Sequence, residues 1–130
     1  MRSKKVIAAL LSLALPFSFV GCDLIGKKTY EQISGAEAKA LMESESNYII
    51  IDARTEEEYN EGHIPGAILI PEYEIAERAE RELPNKKQLI LVYCRSGRRS
   101  KIAAEELVKL GYTNVKEFGG IIDWEYDIVK

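Results

Sequence analysis

Leu89-Ile90-Leu91-Val92-Tyr93-Cys94-Arg95-Ser96-Gly97-Arg98-Arg99-Ser100 runs from an unbroken apolar stretch into one cysteine crowded by arginines. Leu89 to Tyr93 is continuously apolar and rich in strand formers, which predicts a strand buried on both faces. On the C-terminal side, Ala103, Leu107 and Leu110 mark a helix that Gly111 stops. Asn114 to Phe118 follows as a strand, and Ile121 to Val129 is expected to form a closing helix. On the N-terminal side, Pro84-Asn85 makes the turn into the central run, and Glu72 to Leu83 has helical periodicity through Ile75, Ala79 and Leu83. Ala67 to Ile70 and Tyr48 to Ile51 are further buried strands, and Tyr30 to Ile33 is a short first one. Two capping boxes, Ser34 with Glu37 and Thr55 with Glu58, open the helices between them, the second closed by Gly62. Strands separated by helices require crossover connections, so the class is α/β, with a mostly parallel central sheet flanked by helices on both faces. Ligands in such sheets bind beyond the carboxyl ends of the strands, where Cys94 stands.

The segment before this domain reads differently. Arg2, Lys4 and Lys5 precede an apolar run from Val6 to Leu15 that ends at Pro16, the layout of a secretory signal. At about ten residues the run is half of what a membrane-spanning helix needs. Phe19-Val20-Gly21-Cys22 resembles the lipobox of bacterial lipoproteins. That resemblance implies a signal peptide over residues 1–21, lipid on Cys22, and a short tether over 22–29. The domain of residues 30–130 would then be anchored to a bacterial cell membrane and face its extracytoplasmic side. The plainer alternative is secretion, with Cys22 a free or discarded thiol. Loss of Arg2, Lys4 and Lys5 would leave 15 basic against 21 acidic residues, a formal net charge of −6. So acidic a body argues against nucleic acid, and against adhesion to anionic lipid by charge alone.

Of the two cysteines, lipid would consume Cys22 and leave Cys94 unpaired in the domain. A loop passing from a buried strand into a helix within a few residues curls backbone N–H groups around an anion, and the helix N-terminus adds positive potential. Gly97 permits the curvature, while Arg95, Arg98, Arg99 and Lys101 concentrate cations in an acidic domain. A thiolate is favoured there over a thiol, and thiolate is the nucleophilic form. The competing reading is a buried apolar cysteine, which would leave four cations to point away together.

Cys94-Arg95-Ser96-Gly97-Arg98-Arg99-Ser100 resembles the active-site loop of rhodanese-like sulfurtransferases. Ile51-Asp52-Ala53-Arg54, with Glu58-Tyr59 and Gly62-His63-Ile64-Pro65-Gly66-Ala67, resembles that family's first signature. Gly111-Tyr112, Val115, Gly119-Gly120-Ile121 and Trp124 resemble its C-terminal one. The resemblance implies transfer of a sulfane sulfur through a persulfide on Cys94. The donor would be a small anion such as thiosulfate and the acceptor a thiol or cyanide, with no metal and no organic cofactor. Arg95 would bind the anionic end of the donor, Arg99 would face or close the loop, and Arg98 would be donor-facing or solvated surface. Ser96, Gly97 and Ser100 complete the loop around the donor. Asp52 and Arg54, at a neighbouring strand mouth, would pair with each other or brace the loop. His63, the only histidine, is placed in a turn that favours structural hydrogen bonding over general-base chemistry, and Trp124 and Tyr112 are expected to pack. Phosphatases of this fold carry an arginine six positions after the cysteine; here that position is Ser100, which disfavours phosphatase or arsenate reductase chemistry. A sulfur-carrier or binding module without turnover is the remaining alternative, because a fold does not fix a function.

Overall fold

The computed structural model describes residues 29–130, so the signal-like segment, Cys22 and most of the tether lie outside the described residues. In chain order the elements are β1 (Glu31–Gln32), α1 (Gly35–Ser44), β2 (Tyr48–Asp52), α2 (Glu56–Glu61) and β3 (Ile68–Leu69). A 3-10 turn (Glu72–Glu74), α3 (Ile75–Glu82), β4 (Leu89–Cys94), α4 (Arg98–Lys109), β5 (Val115–Gly120) and a second 3-10 turn (Ile121–Asp123) complete them. The strands form one five-stranded sheet in the order β1-β5-β4-β2-β3, and every pairing is parallel.

Central position explains the apolar run of β4: all six of its residues are buried. Successive side chains point to opposite faces, so Ile90, Val92 and Cys94 enter one core with Ile75 and Ala79 of α3 and Ala103, Ala104 and Leu107 of α4. Leu89, Leu91 and Tyr93 enter the other, with Ala38 and Leu41 of α1 and Tyr59 of α2. Both expected capping boxes form, Ser34 with Glu37 and Thr55 with Glu58.

Three expectations need correction. The edge strands β1 and β3 are two residues each, shorter than the expected Tyr30 to Ile33 and Ala67 to Ile70, and β3 is not a buried strand: at the sheet edge Ile68 is exposed and Leu69 half-buried. The helix expected from Glu72 begins as a 3-10 turn and becomes α-helical at Ile75. The closing helix over Ile121 to Val129 does not form. After Asp123 the chain is irregular, with a bend at Tyr126; Val129 makes an antiparallel bridge with His63, and Trp124 Nε1–H donates to the Asp127 carbonyl at 3.0 Å. Ile121 and Trp124 spend their apolar surface on the second core, and their spacing is that of the single 3-10 turn between them, which does not continue as a helix.

Next to Cys94 the sheet has a polar brace. Asp52 is fully buried and Arg54 is 5% exposed; the Arg54 guanidinium donates to both Asp52 oxygens, at 2.7 to 3.2 Å, and to the Gly62 carbonyl at 2.7 Å. Tyr93 Oη–H donates to Asp52 Oδ2 at 2.5 Å and accepts from the Ile64 N–H at 3.1 Å. Burial opposes the Arg54 charge, but its bonds to Asp52 outweigh that and raise its pKa. Burial first and the Asp52 charge second push the Tyr93 phenol up, which keeps it a donor. Removing one partner of such a pair strands the other in the interior. Asp52→Ala should therefore lower stability by about 3–5 kcal/mol, read as a fall in the urea midpoint with an unchanged slope.

Candidate active site

Cys94 ends β4, and only Arg95, Ser96 and Gly97 separate it from the first residue of α4. Gly97 has φ +113°, a region that side chains other than glycine rarely adopt. This reversal brings the Gly97 N–H to 3.0 Å from Cys94 Sγ. Sγ therefore lies at the N-terminal end of a twelve-residue helix, where the unpaired N–H groups and the helix dipole favour negative charge. Cys94 is 1% exposed, yet its sulfur is surrounded by polar groups, which a merely apolar cysteine would not need.

A second glycine sets the height of the loop over the sheet. The β4–β5 register shifts between Val92 and Cys94, so that Cys94 pairs with Gly120. A Cβ on Gly120 would sit 1.9 Å from the Arg95 carbonyl oxygen, an impossible contact, so only glycine lets β5 approach the loop backbone this closely. The Arg95 carbonyl also accepts from the Ile122 N–H at 3.2 Å. Because a trans peptide is planar, that bond turns the following N–H of Ser96 the opposite way.

The loop arginines divide by environment. Arg95, Arg98 and Ser96 are exposed and free to meet a small anion. Arg99 instead forms a two-pronged pair with Glu58 of α2, at 2.8 and 3.0 Å. That bond is the largest cause of the raised Arg99 pKa, with a smaller contribution from the nearby Cys94. Asp52 and Arg54 hold each other and Tyr93, the residue just before Cys94, and bond to no atom of residues 95–100. Ser100, where a phosphatase loop would carry its arginine, is fully buried. Its Oγ lies 3.3 Å from Cys94 Sγ, forming the floor beneath the sulfur.

His63 sits in its turn with Nδ1 2.9 Å from the Tyr59 carbonyl and its ring stacked on Tyr59 at 3.7 Å between centroids. Tyr112 is buried and donates to the Leu83 carbonyl at 2.6 Å. The sequence reading missed Glu117, which is 2% exposed and accepts from Ser100 Oγ–H at 2.5 Å. The available signal was its spacing: Val115, Glu117 and Gly119 share one face of β5, so an acid there points inward. The pairing of Arg99 with Glu58 was equally unforeseen, since the two are 41 residues apart.

Glu58 also links the loop to pH. Its bond to Arg99, helped by the Thr55 cap, lowers its pKa from 4.5 to about 2. A carboxylate depressed by folding contributes stability that is whole above its unfolded value and is lost as pH falls through its folded one. Glu58→Gln should therefore cost about 1–2 kcal/mol at neutral pH, discounted for partial exposure. The gap between parent and variant in thermal unfolding should close as pH falls from 4.5 to about 2.

Comparison with known proteins identifies the family. The sequence profile of the Rhodanese-like domain matches residues 34–127. Thiosulfate sulfurtransferase PspE of Escherichia coli (strain K12) is 44% identical over 80 residues, covering 62% of this chain and 77% of that protein. Adenylyltransferase and sulfurtransferase UBA4 of Candida albicans is 32% identical over 104 residues, 75% of this chain; the chain spans only 24% of that longer protein. Among solved structures, a rhodanese with anions from E. coli superposes with a TM-score of 0.61 at 41% identity, covering 64% of this chain and 98% of the other.

Proposed function

The chain belongs to the rhodanese-like domain family, and from that premise we propose that it is a thiosulfate sulfurtransferase working through a persulfide on Cys94. The observation that carries this reading is the placement of Sγ, 3.0 Å from the Gly97 N–H at the N-terminus of α4, above a serine floor. Such a cradle stabilises a sulfur anion, and it suits thiolate and persulfide alike because both put negative charge on sulfur.

In the first half-reaction the Cys94 thiolate attacks the outer sulfur of thiosulfate. A bond forms between Sγ and that sulfur, the bond to the sulfonate sulfur breaks, and sulfite leaves with the electron pair. The enzyme then holds Cys94–S–S⁻. In the second, cyanide or a thiolate attacks the outer sulfur and Cys94 departs as thiolate. Thiocyanate or a new persulfide is released, and the enzyme is restored. Arg95 and Arg98, exposed at the loop, attract and hold the dianion, while Arg99 is already neutralised by Glu58. The short loop with Ser100 in sixth place favours sulfur over phosphate. PspE carries thiosulfate sulfurtransferase activity in its name, and the E. coli rhodanese was solved with anions; both support an anionic donor here.

A membrane location through lipid on Cys22, on the extracytoplasmic side, is part of the same proposal and rests on the sequence alone.

Thiocyanate formation from thiosulfate and cyanide tests the reading. The parent should turn over with the double-displacement pattern, and Cys94→Ser should lose at least roughly a thousandfold in rate. Arg95→Ala should raise KM for thiosulfate by roughly tenfold with a smaller change in kcat, the sign of lost binding. Turnover that persists in Cys94→Ser would overturn the assignment.

A further inference from the structure

Glu117 is a buried charge that sulfur transfer, as written above, does not use. Oε2 accepts from Ser100 Oγ–H at 2.5 Å and from the Gly119 N–H at 2.9 Å, and Oε1 accepts a longer bond from Gln32 Nε2 at 3.4 Å. Among the described residues no lysine or arginine forms an ion pair with it. Ser100 has a single hydroxyl hydrogen. Its distance to Glu117 is that of a hydroxyl-to-carboxylate bond, and it is shorter than the distances to the Gly97 and Gly119 carbonyls, 3.1 and 3.4 Å. With that hydrogen committed to Glu117, the Ser100 oxygen faces Cys94 as an acceptor, and the thiol donates to it at 3.3 Å. The result is one directed chain of hydrogen bonds from sulfur to carboxylate.

We propose that Cys94, Ser100 and Glu117 form a proton relay, in which Glu117 is the base that takes the Cys94 thiol proton through the Ser100 hydroxyl. The step is balanced within the protein: the S–H bond breaks as a bond forms to Ser100 Oγ, and the serine hydrogen passes to Glu117 Oε2. Ser100 is a hydroxyl before and after. Afterwards its hydrogen points back at the thiolate, beside the Gly97 N–H, and the neutral Glu117 donates to Ser100 Oγ. The floor of the site thus carries one negative charge at a time, on Glu117 at rest and on sulfur when active. A dianionic donor then meets no second anion beneath its target. The other titratable groups around the relay are Tyr30 at the head of β1, which feels both Glu117 and Glu105 of α4, and the Arg99–Glu58 pair near Cys94. The inference rests on the reading of Cys94 as nucleophile.

The test uses iodoacetamide, a neutral reagent, on the full-length chain from about pH 5 to about pH 10, with alkylation followed by mass spectrometry on the peptide that carries Cys94. Two groups sharing a proton titrate in two steps, so the parent should show a plateau of reactivity around neutrality. Glu117→Gln and Ser100→Ala should each show one step, with alkylation roughly tenfold slower than the parent near pH 6 and converging with it near pH 9. A variant at least as reactive as the parent near pH 6 would mean that the carboxylate opposes the thiolate, and would overturn the relay. A loss of the same size at every pH would overturn it too, by reducing Glu117 to a structural role. A parent with the two-step profile that forms no thiocyanate would support the relay and count against sulfur transfer alone.

Discussion

The close approach of Gly120 to the Arg95 carbonyl is the constraint on which the rest of the site depends. A Cβ at residue 120 would stand 1.9 Å from that oxygen, so the height of the loop above the sheet is set by the absence of a side chain on β5. At that height the Gly97 N–H reaches the sulfur, and α4 starts with its N-terminus over Cys94. The Arg95 carbonyl is occupied by the Ile122 N–H. Burial of Cys94 and stabilisation of its anion are therefore one arrangement, since the loop that covers the sulfur turns the Gly97 N–H onto it.

Electrostatics works at three distances from the sulfur. Nearest is the Gly97 backbone N–H, fixed in place and suited to a charge that develops during reaction, with the Ser100 hydroxyl beneath the sulfur. Next is the Arg99–Glu58 pair, which ties the start of α4 to α2 and adds little net charge. Outermost are Arg95 and Arg98, exposed in a chain of net negative charge, so that the loop presents positive charge on an acidic protein. The Asp52–Arg54–Tyr93 brace lies behind this site and fixes the end of β4 from the opposite core.

Much of the fold was legible because burial writes itself into composition. The unbroken apolar run of Leu89 to Tyr93 marks a strand covered on both faces, and that is where β4 lies. The two capping boxes could be read because both partners lie within one helical turn. Cys94 and its cations were legible because they are contiguous. What was not legible is long-range: Glu58 meets Arg99 across 41 residues, and Glu117 meets Ser100 across 17. No local pattern encodes either meeting. The segment after Gly120 misled for a different reason, since only Ile121 and Trp124, joined by one 3-10 turn, reach the second core, and Val129 is tied to His63 by a bridge.

The central claim is that the cradle over Cys94 exists to carry sulfur. The most direct measurement is the mass of the full-length protein before and after thiosulfate, with the modified peptide identified by fragmentation. A gain of one sulfur atom on the Cys94 peptide, removed by cyanide, is the predicted result. A Cys94 that remains unmodified by thiosulfate while iodoacetamide alkylates it readily would contradict the account.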